Sequence, residues 1–214
     1  ALAFGISALA GGGDDAGTVA PALPTHPVAG AFEPDATTLE DCSSDQRCVE
    51  QAYGNLAFRS GPKEALAAVA EDVDPSSNNC HRIVHIIGAA SLARFEGNVG
   101  RTFAEGDAVC ASGYYHGVLE RSLVNVSNRS ASVLGGVARG LCTDLEVKAL
   151  TELEYQCLHG LGHGLMITTG YNLPVALEVC DHLQGEWESS SCNGGAFMEN
   201  IHTSYGFRAT WLKD

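Results

Sequence analysis

Pairs of metal-competent side chains recur in this sequence at the spacing of one helical turn. Residues three or four apart lie on one face of a helix, so two such side chains can hold one ion together. Imidazole and carboxylate groups at this spacing suit copper, iron or zinc, and we predict one of these ions as the cofactor. The predicted ligands are His81, His85, His116, Glu120, His159, His163, Glu199 and His202.

Three of these pairs belong to similar short motifs that read Cys-x-x-Gly. His116 and His163 stand six residues after the first two motif cysteines, and Met198 takes that place in the third motif. On a continuous helix, the second, sixth and tenth positions after the cysteine share one face. The motifs begin at Cys110, Cys157 and Cys192.

The predicted ligands can be ranked by whether they lie on this shared face. His81 and His85 stand one and five residues after Cys80, which is about 100° away from the shared face. They are therefore expected, with Glu199 and His202, as further ligands or as a layer around the centre. The predicted centre consists of His116, Glu120, His159 and His163.

Other chemistries fit the same residues less well. Carboxylate-bridged di-metal bundles use two Glu-x-x-His motifs, whereas this chain has one, Glu199 to His202. This difference favours copper, zinc or a mixed histidine–carboxylate iron site. No glutamate follows the first histidine of a pair, as a zincin requires, so whether the protein is an enzyme stays open. A non-covalent haem, or a row of hydrogen-bonded histidines without a cofactor, are the remaining alternatives.

The eight cysteines predict four disulfides and an oxidising compartment. A cysteine in the preceding helix accompanies each of the last two motifs, which favours Cys142–Cys157 and Cys180–Cys192. The pairs Cys42–Cys48 and Cys80–Cys110 follow by elimination and proximity. We therefore expect an extracellular or cell-surface protein.

Net charge limits the partners. The chain has 12 Lys and Arg against 26 Asp and Glu, a formal charge of −14. Nucleic acids and anionic membranes attract basic surfaces. The composition therefore argues against both as partners, whereas it tolerates metal cations.

The chain divides into an extended arm and a helical domain. Residues 1–40 are rich in Gly and Pro and read as an arm or an anchor remnant that mediates self-assembly. Residues 41–214 lack an alternating strand pattern, and the motifs recur 47 and 35 residues apart. They predict an all-α, disulfide-stapled domain, an irregular helix-pair repeat of solenoid or bundle type. One continuous helix is predicted over Thr102–Val124, which includes the first motif.

Two functional classes follow from these observations. The first is a secreted or cell-surface metal-binding helical protein with a His/Glu site between its helices, for which a redox role is one option. The alternative is an extracellular structural or interaction module, assembled through its N-terminal arm and without catalytic activity.

Overall fold

The all-α class is confirmed by a computed structural model, which describes residues 32–124, 126–142 and 151–205. The predicted arm lies mostly outside these residues. The described ranges contain nine α-helices, a short 3₁₀ turn at Leu39–Asp41 and no strand, and none of these helices is long and apolar enough to cross a membrane. The helices are α1 (Gln46–Ser60), α2 (Pro62–Asp72), α3 (Asn78–Arg94), α4 (Val99–Ala104), α5 (Gly113–Ser122), α6 (Ala131–Leu141), α7 (Thr151–Thr168), α8 (Leu173–Asp181) and α9 (Glu186–Ser204).

The odd-numbered helices form the frame of the molecule. Helices α1, α3, α5, α7 and α9 pack side by side in chain order. Helix α2 packs on α1 and α3, while α8 packs on α7 and α9 and also contacts α6. The arrangement is bundle-like, and four successive helices of the frame, α3 to α9, carry all the predicted ligands.

Local sequence signals fix where the helices begin. The Ser77 side chain accepts a hydrogen bond from the Cys80 backbone amide and so caps α3. Asp45 caps α1 in the same way, and Pro62 occupies the first turn of α2, where its missing amide proton costs nothing. The cap at Ser77 places Cys80 and His81 in the first turn of α3.

All four predicted disulfides are confirmed, and the described chain contains no free cysteine. Three of them connect a ligand-bearing helix to a neighbouring element, and each should contribute ~2–4 kcal/mol by restricting the unfolded chain. Four disulfides are typical of an oxidising environment. The bonds are Cys42–Cys48, Cys80–Cys110, Cys142–Cys157 and Cys180–Cys192.

The prediction of one helix over Thr102–Val124 is wrong. The chain leaves α4 after Ala104 and begins α5 only at Gly113. Cys110, Ala111 and Ser112 have φ values of 52°, 55° and 61°, a left-handed conformation that a right-handed helix cannot include. The first motif cysteine therefore lies in a turn before its helix.

Glycines let the ligand-bearing helices approach at backbone distance. A Cβ atom at Gly117 of α5 would overlap the carbonyl oxygen of His85 in α3. A Cβ atom at Gly195 of α9 would overlap the carbonyl oxygen of His159 in α7, and one at Gly164 of α7 would lie 2.5 Å from the carbonyl oxygen of Leu119 in α5. Only glycine fits at such contacts. Each helix pair around the predicted site is therefore closely packed.

The glycine of each motif also determines where along their axes two neighbouring helices make contact. In every motif this residue stands three positions after the cysteine and lies against the backbone of a histidine in the preceding ligand-bearing helix. Histidines from successive helices are thereby placed at similar heights along the helix axes. The contacts are Gly113 with His81, Gly160 with His116 and Gly195 with His159.

Candidate metal centre

Seven of the eight predicted ligands lie in one continuous cluster between α3, α5, α7 and α9. The centres of neighbouring imidazole rings in it are 4.5–6.1 Å apart. Two carboxylates are hydrogen-bonded to these rings. The members are His81, His85, His116, Glu120, His159, His163 and Glu199, and we call them the His/Glu cluster.

Three groups of residues within the His/Glu cluster could hold a metal ion. In each group, one ligand atom from each of three residues lies within 4.8 Å of the other two. The group on α3 and α5 lies nearest to solvent, whereas the other two groups consist only of buried residues. The groups are His81/His85/His116, His116/His159/His163 and Glu120/His163/Glu199.

The two histidines of α3 face each other through their Nε2 atoms. These atoms are 2.9 Å apart. On the opposite side of each ring, His81 Nδ1 donates to the carbonyl oxygen of Cys110 at 2.8 Å, and His85 Nδ1 lies 2.6 Å from Glu120 Oε1. Both rings are thus held at Nδ1 and present Nε2 to a common point.

The buried end of the cluster contains polar atoms that make no hydrogen bond within the described chain. They include both ring nitrogens of His116, the Nε2 atom of His163 and the Oε2 atom of Glu120. The amide of Gln156 approaches His116 without hydrogen-bond geometry. An unsatisfied buried polar group costs about 1–3 kcal/mol, so these atoms mark where a ligand would stabilise the fold.

Burial keeps three histidines of the cluster neutral. The pKa of His81 is lowered to about 4 by burial and by the neighbouring His85, and the pKa values of His116 and His163 lie well below their ordinary value for the same kinds of reason. Burial also favours the neutral acid of Glu120, but the charge and hydrogen bond of His85 outweigh it and hold the pKa of this carboxyl below its usual range. A neutral imidazole is the form that binds a metal ion.

The second carboxylate, Glu199, has surroundings that shift its pKa in the opposite direction from that of Glu120. Burial, and then the charge of Glu120, raise the pKa of Glu199 to about 8. Its Oε2 atom is 2.9 Å from His163 Nδ1. A nearby cation would therefore stabilise the charged form of Glu199.

His202 stands apart from the cluster. It is half-buried on α9 and belongs to none of the three groups. Its pKa is lowered mainly by burial and also by the charge of the nearby His85 ring. Met198, which stands six residues after its motif cysteine, is 38% exposed and faces away from the cluster. In α9 the following residue, Glu199, points inward instead.

Sequence reasoning missed two neighbours of the ligands. The Tyr155 ring stacks on His159 at 5.3 Å, and its hydroxyl lies 3.4 Å from His159 Nδ1. The spacing of four residues within α7 is a signal for that contact. The carbonyl oxygen of Cys110 that holds His81 gives no signal in the sequence, because it comes from a turn that the tertiary structure brings alongside α3.

His81 and His85 rank lower by sequence because the shared face is defined by counting positions from motif cysteines assumed to lie within their helices. Cys110 lies in the turn before α5, so positions counted from it do not describe the face of one helix. The structure brings His81 and His85 into the same cluster as His116. Helix α3 directs the face that carries them toward α5.

Stability of the metal-free protein is expected to fall as pH is lowered from about 6.5 to 5. His81, His116 and His163 have native pKa values below the ordinary 6.5, so in this window the unfolded chain binds protons that the native state excludes. Each such group lowers the free energy of unfolding by ~1.4 kcal/mol per pH unit. Glu199 acts in the opposite direction, because its raised pKa makes the native state bind a proton between about pH 4.5 and 8.

The histidines outnumber Glu199, so we expect a net loss of about 2–4 kcal/mol between pH 6.5 and 5. Denaturant unfolding of chelator-treated protein at several pH values measures it. The His81→Ala variant should have a shallower pH slope, and His182→Ala, which changes an exposed histidine on the end of α8, should keep the slope of the unmodified protein. A stability that stays flat or rises toward pH 5 would contradict the assignment.

Comparison with known proteins gives no indication of what this site does. The chain matches no protein-family model, no curated protein and no solved structure. The function is therefore inferred from the geometry of the His/Glu cluster.

Proposed function

We propose that this protein binds a transition metal ion between α3 and α5, at His81, His85 and His116. The observation that carries the proposal is the 2.9 Å approach of the Nε2 atoms of His81 and His85. Both rings are oriented by partners at Nδ1, a carbonyl oxygen in one case and a carboxylate in the other. Outer partners of this kind accompany almost all metal-binding histidines, because they fix the tautomer and the ring orientation.

The proton on His81 can be assigned from its partner. A carbonyl oxygen only accepts hydrogen bonds, so His81 carries its proton on Nδ1 and a lone pair on Nε2. The lone pair faces His85 Nε2. The gap between the two rings must therefore hold either a proton on His85 or a metal ion.

Two further features favour the metal ion. Ligands of a tetrahedral zinc with Zn–N bonds of ~2.0–2.1 Å are ~3.3 Å apart, so His81 and His85 need to separate by only a few tenths of an ångström. His116 supplies a third ligand from α5, and both of its ring nitrogens lack a hydrogen bond within the described chain. Binding an ion would satisfy a buried ring that the protein alone leaves unsatisfied.

The donor set narrows the choice of ion. Three imidazole groups suit zinc, copper or iron. Thiolate ligation is excluded within the described chain, because its cysteines all form disulfides. With copper or iron bound, the centre would have a redox role. The four disulfides are consistent with an exported protein that works outside the reducing cytosol.

Metal analysis of natively purified protein tests this proposal. We expect at least one zinc, copper or iron ion per chain, with one ion fewer in His81→Ala and an unchanged count in His182→Ala. Circular dichroism of both variants establishes that the helices are intact. A structural module without a cofactor predicts instead that the natively purified protein is metal-free and that it takes up none of the three ions after incubation.

A further inference from the structure

A second set of buried ligands lies on the other side of the cluster, between α5, α7 and α9. It consists of Glu120, His163 and Glu199, whose exposed fractions are 2%, 0% and 6%. One ligand atom from each lies within 4.8 Å of the other two. The Glu120 Oε2 and His163 Nε2 atoms make no hydrogen bond within the described chain.

This set shares no residue with the proposed site at His81, His85 and His116. The group between them, His116/His159/His163, overlaps both sets and therefore competes with each. The three groups can therefore bind at most two ions at once if each ion has three ligands of its own. Six different side chains, two from each of α3 and α5 and one from each of α7 and α9, supply them.

Charge gives an independent reason for a cation at this end. Burial of a charged carboxylate is costly unless a cation or several hydrogen bonds compensate it. Glu120 lies near the charges of His85 and the buried Arg121, whereas the pKa of Glu199 is only raised by its surroundings. In the described structure Glu199 is hydrogen-bonded to the ring of His163, which burial keeps neutral, so this contact supplies no positive charge. An ion held by imidazole groups near α3 would not contact Glu199.

Glu120 connects the two sets. Its Oε1 atom is 2.6 Å from Nδ1 of His85, and its Oε2 atom faces the buried end without a hydrogen bond. One oxygen can thus orient a ligand of the first ion while the other binds the second. The ring centres of His85 and His163 are 6.1 Å apart, so the two sets are adjacent.

We infer that the His/Glu cluster holds two metal ions at once, one on His81, His85 and His116 and a second on Glu120, His163 and Glu199. The inference rests on the proposed function and specifies its stoichiometry. The first position offers three imidazoles. The second offers two carboxylates and one imidazole, a set that suits harder ions such as iron or manganese as well as zinc.

Native mass spectrometry of the full chain, loaded with Zn²⁺ and then desalted, tests the inference. We expect two retained ions in the unmodified protein. Glu199→Gln should retain one, because the amide keeps the size of the side chain but removes the charge. His81→Ala should also retain one, and Glu186→Gln, an exposed glutamate on the same helix as Glu199, should retain two.

The outcomes separate the two proposals. Unmodified protein that never retains more than one Zn²⁺ at saturation overturns the second position and leaves the proposed function intact. Protein that retains none overturns both. Two ions in the folded Glu199→Gln variant would show that the second ion does not depend on the Glu199 carboxylate and would overturn the inference. If Glu199→Gln does not fold, the count in the unmodified protein together with the count in His163→Asn decides the question.

Discussion

Replacing His116 with alanine is expected to weaken Zn²⁺ binding at the α3–α5 site by at least about 100-fold. Loss of a residue that only supports a ligand costs roughly 10–100-fold in affinity, and His116 is itself a proposed ligand. Its side chain is 3% exposed and lies 5.4 Å from the rings of both His81 and His85. No other residue of that group comes from α5.

Thermal and denaturant unfolding with and without Zn²⁺ measure this effect. At a free Zn²⁺ concentration 1,000 times the dissociation constant, one ion stabilises the native state by about 4 kcal/mol. A 100-fold loss of affinity reduces this to about 1.4 kcal/mol at the same concentration. His182→Ala is the matched control. Equal stabilisation of the His116→Ala variant and the unmodified protein would contradict the role of His116 as a ligand.

Replacing Gly117 with alanine is expected to lower the free energy of unfolding by about 2–3 kcal/mol. The added Cβ would overlap the carbonyl oxygen of His85, so α5 must move away from α3. That movement would separate His116 from His81 and His85, and we therefore expect metal binding to weaken together with stability. Denaturant unfolding of metal-free protein and a Zn²⁺ titration measure the two losses.

The control for this change is Gly136→Ala on the exposed side of α6. A Cβ there meets only the tip of the Arg139 side chain, at 3.9 Å. Because alanine favours the helix over glycine, this variant should gain up to about 1 kcal/mol. The two glycine replacements are therefore expected to change stability in opposite directions. A gain at both positions would show that α3 and α5 are not in backbone contact.

The sequence predicted much of the chemistry because helical spacing is a local property. The pairs His81/His85 and His159/His163 each lie on one helix face, as their four-residue separation requires. The disulfide pairs could also be predicted, since cysteines of neighbouring helices recur together along the chain. In both cases the partners are close in sequence or occur in consecutive elements.

Only the tertiary structure decided which atoms meet. The turn at Cys110 to Ser112 interrupts a segment whose composition suits a helix, because three left-handed residues and a disulfide to Cys80 hold it against α3. This turn supplies the carbonyl oxygen that orients His81. Such a contact depends on backbone geometry 29 residues away, and no residue type encodes it.

The residue types and spacings alone determined the helical class, the disulfide pairs and the identity of seven clustered side chains. Packing decided their arrangement. Glu120 turns toward His85 and Glu199 toward His163, while Met198 faces outward, because glycine contacts fix the rotation and level of each helix against the one before it. A periodic pattern gives the face of a helix to within about one residue, and the close contact at Gly195 selects the residue that points inward.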